Sequence, residues 1–187
     1  ENAVFHFGSA TGFLGGDLSE TYFKALDYAL EKKFFISFDP NFREALWPNP
    51  EKFIEFSKDF ISKSDLIKLS EEEALLISGK KDLQEAIATF KLKKNAIVCV
   101  TLGKNGTLLY FQEKLEIVPS ISVEAIDTTG AGDAFIGAVL KQVCDKTPES
   151  YNEIKNYVSF ANKVAAISTT KLGAIEALPT LEQILKY

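Results

Sequence analysis

Short apolar runs alternate along this chain with longer segments whose apolar residues recur every three or four positions. The short runs are typical of buried strands, and the longer segments are typical of amphipathic helices. Strands are predicted at 3–7, 34–38, 66–69, 95–102, 107–111 and 113–119. Helices are predicted at 20–32 after an N-cap at Ser19, near 53–61, after Ser70, at 83–91, from 134, at 151–170 and after Pro179. This alternation predicts an α/β sandwich around a mostly parallel sheet.

Composition narrows the classes of protein to which the chain can belong. Its 187 residues can bury one sizeable core, so a single domain over residues 1–187 is expected. The net charge of −5 argues against binding to a nucleic-acid backbone. No apolar run is long enough to span a membrane, and no signal-peptide pattern is present. Cys99 and Cys144 are predicted to be buried free thiols, which suits a reducing compartment and predicts a cytoplasmic protein.

The segment 126–137 holds the residues with the clearest chemistry. Gly130 and Gly132 allow backbone conformations in which several N–H groups converge on one point, next to the start of an apolar helix. Such a helix N-terminus attracts phosphate. Asp133 places a carboxylate where the anion would bind, which makes sense if Asp133 takes a proton from an attacking hydroxyl. The alternative is an ordinary glycine-rich loop in which Asp133 only complements the helix dipole.

The same segment resembles the second signature of the ribokinase-like (PfkB-type) sugar kinases, D-T-T-G-A-G-D-x-F-x-G, and matches it throughout. The resemblance implies a three-layer α/β/α sandwich that uses ATP and Mg²⁺. It also implies that Asp133 is the catalytic base. The backbone at Gly130, Ala131 and Gly132 would form the anion hole for the phosphoryl group in transfer.

A second segment, residues 39–43, follows a predicted strand and resembles the D-x-N-x-R segment of the family. Ligands of parallel α/β sheets gather at the carboxyl ends of strands. An arginine there can hold phosphate oxygens in a bidentate fork, so Arg43 is the expected contact. The alternative is a Pro-Asn turn with a surface arginine. The residues Leu46-Trp47-Pro48 resemble the fructokinase branch of the family.

The segment 68–73 resembles the K-x-N-x-x-E segment of the family, which helps to place Mg²⁺ and the phosphates. The resemblance implies that Lys68 binds the nucleotide and that Glu73 holds Mg²⁺ through water. The chain departs from the pattern at Ser70, which stands in the asparagine position. The alternative is a helix capped by Ser70 with a solvated acidic first turn.

Two further segments resemble the nucleotide side of the family. Residues 101–106 match a T-x-G-x-x-G loop, in which Thr101, Gly103 and Gly106 would contact the nucleotide. A hairpin turn explains the Asn-Gly pair at 105–106 equally well. Asn162 is a candidate for lining the base pocket, or it is a polar residue on a helix flank.

Four residues match the positions that bind a monovalent cation such as K⁺ in ribokinase relatives: Asp127, Thr129, Ser168 and Gly173. His6 is the single histidine of the sequence and is expected to pack in a strand. With so few histidines and cysteines, the chain offers no ligand set for zinc or thiol chemistry.

The resemblance covers the later part of a family member, without the first Gly-Gly signature, the early strands or the lid. A fragment of a sugar kinase is therefore expected, with ATP and a small sugar as partners and D-fructose phosphorylated to fructose 6-phosphate. Three alternatives stay open: a ribose, ketodeoxygluconate or nucleoside kinase, a non-catalytic nucleotide-binding regulator, and an inert half-protein that associates through sheet edges. So does a homodimer of the full-length protein.

Overall fold

The computed structural model describes residues 3–9, 11–47 and 49–187. Ala10 in the predicted glycine-rich loop and Pro48 in the segment that resembles fructokinases lie outside the described residues. The chain divides into two compact units, Glu1–Val100 and Thr101–Tyr187. The prediction of a single domain stays a prediction.

The first unit is built from strands that lie side by side in chain order, with helices between them. Its strands are β1 Val4–Gly8, β2 Phe35–Asp39, β3 Leu66–Ser70 and β4 Ile97–Thr101, which ends at the first residue of the second unit. Its helices are α1 Gly16–Glu31, α2 Glu51–Lys63, α3 Glu71–Ser78 and α4 Leu83–Thr89, with a 3-10 turn at Glu44–Leu46. β2 pairs in parallel with β1 and with β3.

A cluster of aromatic side chains occupies part of the interior of the first unit. Phe60 on α2 is fully buried, and its ring lies 5.0 Å from that of Phe13 and 5.2 Å from that of Phe38 on β2. Phe53, two turns earlier on the same face of α2, contacts the rings of Phe42 and Trp47. Aromatic rings bury large apolar areas and contact one another edge to face. This packing anchors β2 and the segment that follows it.

The second unit consists of one antiparallel strand pair and three helices. The strands are β5 Thr107–Phe111 and β6 Lys114–Val118, and the helices are α5 Ala131–Asp145, α6 Tyr151–Ser168 and α7 Leu181–Leu185. A 3-10 turn at Gly103–Asn105 precedes β5. Ser150 and Glu153 form a capping box at the start of α6. A hydrogen bond from Lys146 lowers the pKa of Glu153 to about 2.

The α/β fold class is confirmed, while several predicted helix ends shift. Helix α1 begins at Gly16 and not after Ser19, because Gly15 at φ 99 turns the chain into the helix four residues earlier than predicted. The prediction of a Ser19 cap was therefore wrong. The Ser70 cap is confirmed, since its side chain accepts the N–H of Glu73. Among the described residues, no helix is long and apolar enough to cross a membrane.

Candidate functional site

A cavity of about 490 Å³ opens within the second unit. Its walls are the turn at 103–107, parts of the segment 120–128, the first residues of α5 and the face of α6 between 162 and 169. Most of the lining side chains are small or apolar. Of the described residues that line the cavity, Lys104 alone carries a charge. The cavity has the size and the mixed lining typical of a small-molecule site.

Helix α5 begins at the cavity because Gly130 takes a left-handed conformation. Gly130 has φ 78 and ψ 0, and a Cβ atom there would lie 2.7 Å from the Cβ of Ala174. The N–H of Ala131 donates to the carbonyl of Thr128 at 3.2 Å. The N–H groups of Gly132 and Asp133 have no acceptor among the described residues. Unpartnered amides at a helix start favour an anion.

Asp133 lies in that first turn of α5, and its side chain is exposed. Ala131 and Gly132 border the cavity, whereas Asp133 itself does not line it. The structure therefore places the predicted base beside the predicted anion hole, within one helical turn. An exposed carboxylate there is accessible from the solvent.

Asp127 joins the segment before α5 to the segment after α6. Its Oδ1 atom accepts the N–H of Thr129 and its Oδ2 atom accepts the N–H of Gly173, both at 2.9 Å. Hydrogen bonds from Thr129 and Gly173 lower the pKa of Asp127. Three of the four predicted cation residues thus meet at one carboxylate. Ser168 is buried, and its hydroxyl donates to the carbonyl of Ala165.

Asn162 lines the cavity, but its amide is already bonded to the protein. Its Oδ1 atom accepts the hydroxyl of Thr107 at 2.7 Å, and its Nδ2 atom donates to the carbonyls of Val118 at 2.9 Å and Pro119 at 3.3 Å. The residue is 4% exposed. Asn162 therefore ties α6 to both strands of the hairpin, and this favours the structural alternative for its side chain.

The turn before β5 contains two glycines that were predicted to contact the nucleotide, and the structure gives them different surroundings. Gly106 has φ 96, and a Cβ atom there would lie 2.1 Å from the carbonyl oxygen of Val118. Gly106 is therefore required by the close approach of two strands, with or without a ligand. Gly103 has φ 56 and open space around it, and Thr101 borders the same cavity. Lys104, which lies between Gly103 and Gly106, was not singled out from the sequence, although a basic residue within a T-x-G-x-x-G loop was a readable signal.

The remaining predicted residues lie in the first unit. Lys68 Nζ lies 2.9 Å from Asp39 Oδ2, and both residues are buried. Burial raises the pKa of Asp39, even though Lys68 favours its charged form. Glu73 is also buried, whereas Arg43 is exposed. The partner of Lys68 was missed from the sequence, where the signal was a carboxylate directly after an apolar strand.

Replacing Gly130 with alanine should lower the free energy of unfolding by about 1–3 kcal/mol, because alanine is strained at positive φ and its Cβ would collide with Ala174. Gly137→Ala on the same helix is the matched control. Gly137 has open space around it, so this variant should be stabilised by about 0.5–1 kcal/mol. Urea unfolding of both variants measures the difference. Equal effects at the two positions would contradict the special role of Gly130.

Comparison with known proteins shows the family and the fold of this chain. The model of the pfkB family carbohydrate kinases matches residues 1–181. A protein named probable fructokinase-2 from Arabidopsis thaliana is 38% identical over 187 residues, which cover 98% of this chain and 56% of that protein. The chain thus spans a little over half the length of such curated relatives.

Two solved structures show the same fold over nearly the whole chain. Fructokinase from Vibrio cholerae O395, solved with fructose, ADP and a calcium ion, has a TM-score of 0.88 and 32% identity. The match covers 98% of this chain and 60% of that one. Aminoimidazole riboside kinase from Salmonella enterica, solved with its riboside and an ATP analogue, has a TM-score of 0.88 and 27% identity, with coverage of 98% and 61%. The chain belongs to the pfkB family of carbohydrate kinases, which are phosphotransferases of the ribokinase-like fold.

Proposed function

We propose that this chain forms the nucleotide- and phosphate-binding part of an ATP-dependent kinase that phosphorylates the primary hydroxyl of D-fructose, giving fructose 6-phosphate. The start of α5 carries the proposal. There Gly132 borders a cavity large enough for a nucleotide, the N–H groups of Gly132 and Asp133 have no acceptor among the described residues, and the carboxylate of Asp133 lies in the same turn. The fructokinases among its relatives support the choice of sugar.

In the proposed reaction, Asp133 removes the proton of the sugar hydroxyl as its oxygen attacks the γ-phosphorus of ATP. The new O–P bond forms while the bond between the γ-phosphorus and the bridging oxygen breaks, and ADP leaves. The backbone amides at Gly130, Ala131 and Gly132 stabilise the charge on the phosphoryl oxygens in transfer. The N–H of Ala131 already donates to the carbonyl of Thr128, so the N–H groups of Gly132 and Asp133 are the donors without an acceptor among the described residues.

The cavity residues suit the remaining parts of ATP. Ala165, Ala166 and Phe135 offer a small apolar wall against which a planar base can pack. Thr101 and Gly103 border the cavity beside Lys104, where the phosphates can be reached.

Metal ions enter this proposal with the nucleotide. No cluster of three or more potential metal-ligating side chains is found within the described part of the chain. Mg²⁺ binds mainly through water and substrate phosphates, so it needs no protein cage of that kind, and it would neutralise phosphate charge. A monovalent cation such as K⁺ would bind at the oxygen-rich segment around Asp127, Thr129 and Gly173. Ser168 is close to this segment, because the carbonyl of the next residue, Thr169, accepts the N–H of Asp127.

A second candidate function is phosphorylation of a riboside. The aminoimidazole riboside kinase matches this chain with the same TM-score as the fructokinase. The described residues contain the proposed base and anion hole, which both substrates would share. The proposal of fructose rests on the greater identity to fructokinases.

A substrate panel tests the choice between these functions. The full-length polypeptide that contains this chain is given ATP and Mg²⁺ with fructose, ribose, ketodeoxygluconate, adenosine or aminoimidazole riboside, and ADP release is measured. We expect turnover with fructose. Turnover with another acceptor alone would refute the sugar assignment and retain the chemistry. A folded protein that binds ATP and turns over none of the five would favour a nucleotide-binding regulator.

Asp133→Ala should lower kcat for the sugar by about 10²–10⁴-fold, the usual contribution of a general base, and leave the Kd of ATP nearly unchanged. Asp145→Ala is the matched control, because Asp145 is an exposed carboxylate at the opposite end of α5. Steady-state kinetics and calorimetric ATP binding give the two readouts. If Asp133→Ala retained most of the turnover, the assignment of the base would be wrong.

Lys104→Met should raise the Kd of ATP about tenfold, because Lys104 is the one charged side chain among the described lining residues and phosphates are the charged part of ATP. The variant should also bind ATP with a weaker dependence on salt concentration. Lys104→Arg, which keeps the charge, serves as the control. Calorimetric titration at low and at high salt measures both effects. A Kd that is equal in the methionine and arginine variants would show that Lys104 does not meet the phosphates.

A further inference from the structure

A buried ion pair lies directly before the loop Asp39–Arg43 in the first unit. Asp39 is 2% exposed and Lys68 is 8% exposed. β2 and β3 are parallel with Phe38 beside Ile67, so the next residues, Asp39 and Lys68, come side by side. Lys68 Nζ lies 2.9 Å from Asp39 Oδ2. The ammonium group is therefore already paired with a carboxylate of its own sheet.

The same carboxylate holds the turn that follows β2. Asp39 Oδ1 accepts the N–H of Asn41 at 3.2 Å. Asn41 has φ 48, a conformation that a residue with a side chain keeps only where its surroundings hold it. Ser9 is fully buried and donates its N–H to the carbonyl of Asp39 at 3.1 Å and its hydroxyl to the carbonyl of Pro40 at 2.7 Å. The turn is thus fixed on both its side-chain and its backbone groups.

Glu73 reaches the same loop from the first turn of α3. Its Oε1 atom accepts the N–H of Phe42, and its Oε2 atom accepts the N–H of Ser70, both at 2.7 Å. The hydroxyl of Ser70 accepts the N–H of Glu73 in return, which completes a capping box. One buried carboxylate therefore joins a helix start to the residue immediately before Arg43.

Arg43 itself is exposed and pairs with no carboxylate among the described residues. Its carbonyl accepts the N–H of Leu46 at 2.8 Å, which fixes the chain on the other side. The guanidinium group is therefore free to bind an anion, while its backbone is held on both sides. Such preorganisation is what a contact to a substrate requires.

We propose that Lys68 and Glu73 are positioning residues that fix the loop Asp39–Arg43 and thereby place Arg43 for an anionic group of the substrates, instead of binding the nucleotide and the metal themselves. The identity of that anionic group rests on the proposed function. Lys68 could reach a nucleotide only by leaving the charge of Asp39 buried and unpaired, which is strongly unfavourable. Glu73 could turn to a metal only by weakening two charge-assisted hydrogen bonds.

Glu73→Gln tests the role of the carboxylate, and Glu72→Gln is its matched control because Glu72 is the exposed neighbour in the same helical turn. The two N–H groups are accepted by different oxygens of Glu73, and glutamine replaces one of these oxygens with an NH₂ donor, which cannot accept the N–H that faces it. We expect amide hydrogen exchange in the peptide that contains Phe42 to accelerate by tenfold or more in Glu73→Gln alone. The Mg²⁺ concentration that half-saturates ADP binding should stay within twofold of the unchanged chain.

Ser70→Ala separates the loop from the helix cap. This variant loses the Ser70 hydroxyl and keeps both bonds accepted by Glu73. It should lower the free energy of unfolding, yet leave exchange in the loop and kcat of the full-length enzyme within threefold of their original values. If Ser70→Ala accelerated loop exchange as much as Glu73→Gln, capping alone would explain Glu73 and the proposal would be overturned.

Lys68→Met and the double variant Asp39→Asn with Lys68→Met test the ion pair. The single variant leaves an unpaired buried carboxylate, so it should accelerate loop exchange and lower the unfolding temperature. The double variant removes both charges and should recover stability, because the uncompensated charge is gone. In both variants the Kd of ADP should stay within threefold of the original. A tenfold weaker Kd in a stably folded double variant would show that Lys68 binds the nucleotide.

The outcomes separate this proposal from the proposed function. Loop exchange and ADP binding are measured on the chain without any sugar, so they decide the roles of Lys68 and Glu73 even if fructose is not a substrate. In an active full-length enzyme, Glu73→Gln should lower kcat at least tenfold at saturating Mg²⁺. Unchanged loop exchange together with a tenfold higher Mg²⁺ requirement would overturn the proposal in favour of a metal-binding Glu73.

Discussion

The left-handed turn at Gly130 is the constraint on which the candidate site depends. The chain passes so close to Ala174 that no side chain fits at Gly130. The turn at this residue ends the loop before α5, and the helix begins at the next residue, Ala131. Because the helix starts there, the amides of Gly132 and Asp133 lose any backbone acceptor and become available to an anion. The carboxylate of Asp133 then lies beside those donors without any further adjustment of the fold.

The turn is itself held in place by contacts from the end of α6. The carbonyl of Thr169 accepts the N–H groups of Ile126 at 2.7 Å and Asp127 at 3.0 Å. Asp127 in turn accepts the N–H of Gly173. The segment that precedes the turn at Gly130 is therefore bonded to the segment that follows α6. The geometry of the candidate site therefore depends on these backbone contacts as well as on its side chains.

Several polar residues that the family pattern assigns to ligands have partners within the protein. The side-chain amide of Asn162 is hydrogen-bonded to the β5–β6 hairpin. Lys68 pairs with Asp39, and Glu73 accepts two backbone N–H groups. Buried polar groups are stable only when they are paired, so a buried polar residue near a site has a structural partner by necessity. The groups that remain available are the exposed ones, such as Asp133, Arg43 and Lys104.

The sequence by itself determined the α/β class, most of the strands and helices, and the family. Periodicity is a local property, and the segment 126–137 keeps its glycines and its carboxylate together within twelve positions of the chain. The Ser70 cap was equally local, since Ser70 and Glu73 lie three residues apart. Local hydrogen bonds and local backbone conformations depend on residues that are close together in the sequence, so they can be predicted from it.

Only the tertiary structure decided which polar groups are free. The partners of Asn162, Lys68 and Glu73 lie 55, 29 and 31 positions away along the chain, at Thr107, Asp39 and Phe42. The start of α1 was also predicted wrongly, because the helix is capped at Gly15 and not at Ser19. A side chain can either bind a ligand or satisfy a buried partner, and burial arises from packing between distant segments. For that reason the residue types of the candidate site could be predicted from the sequence, whereas the division between polar groups bonded within the protein and polar groups left exposed could not.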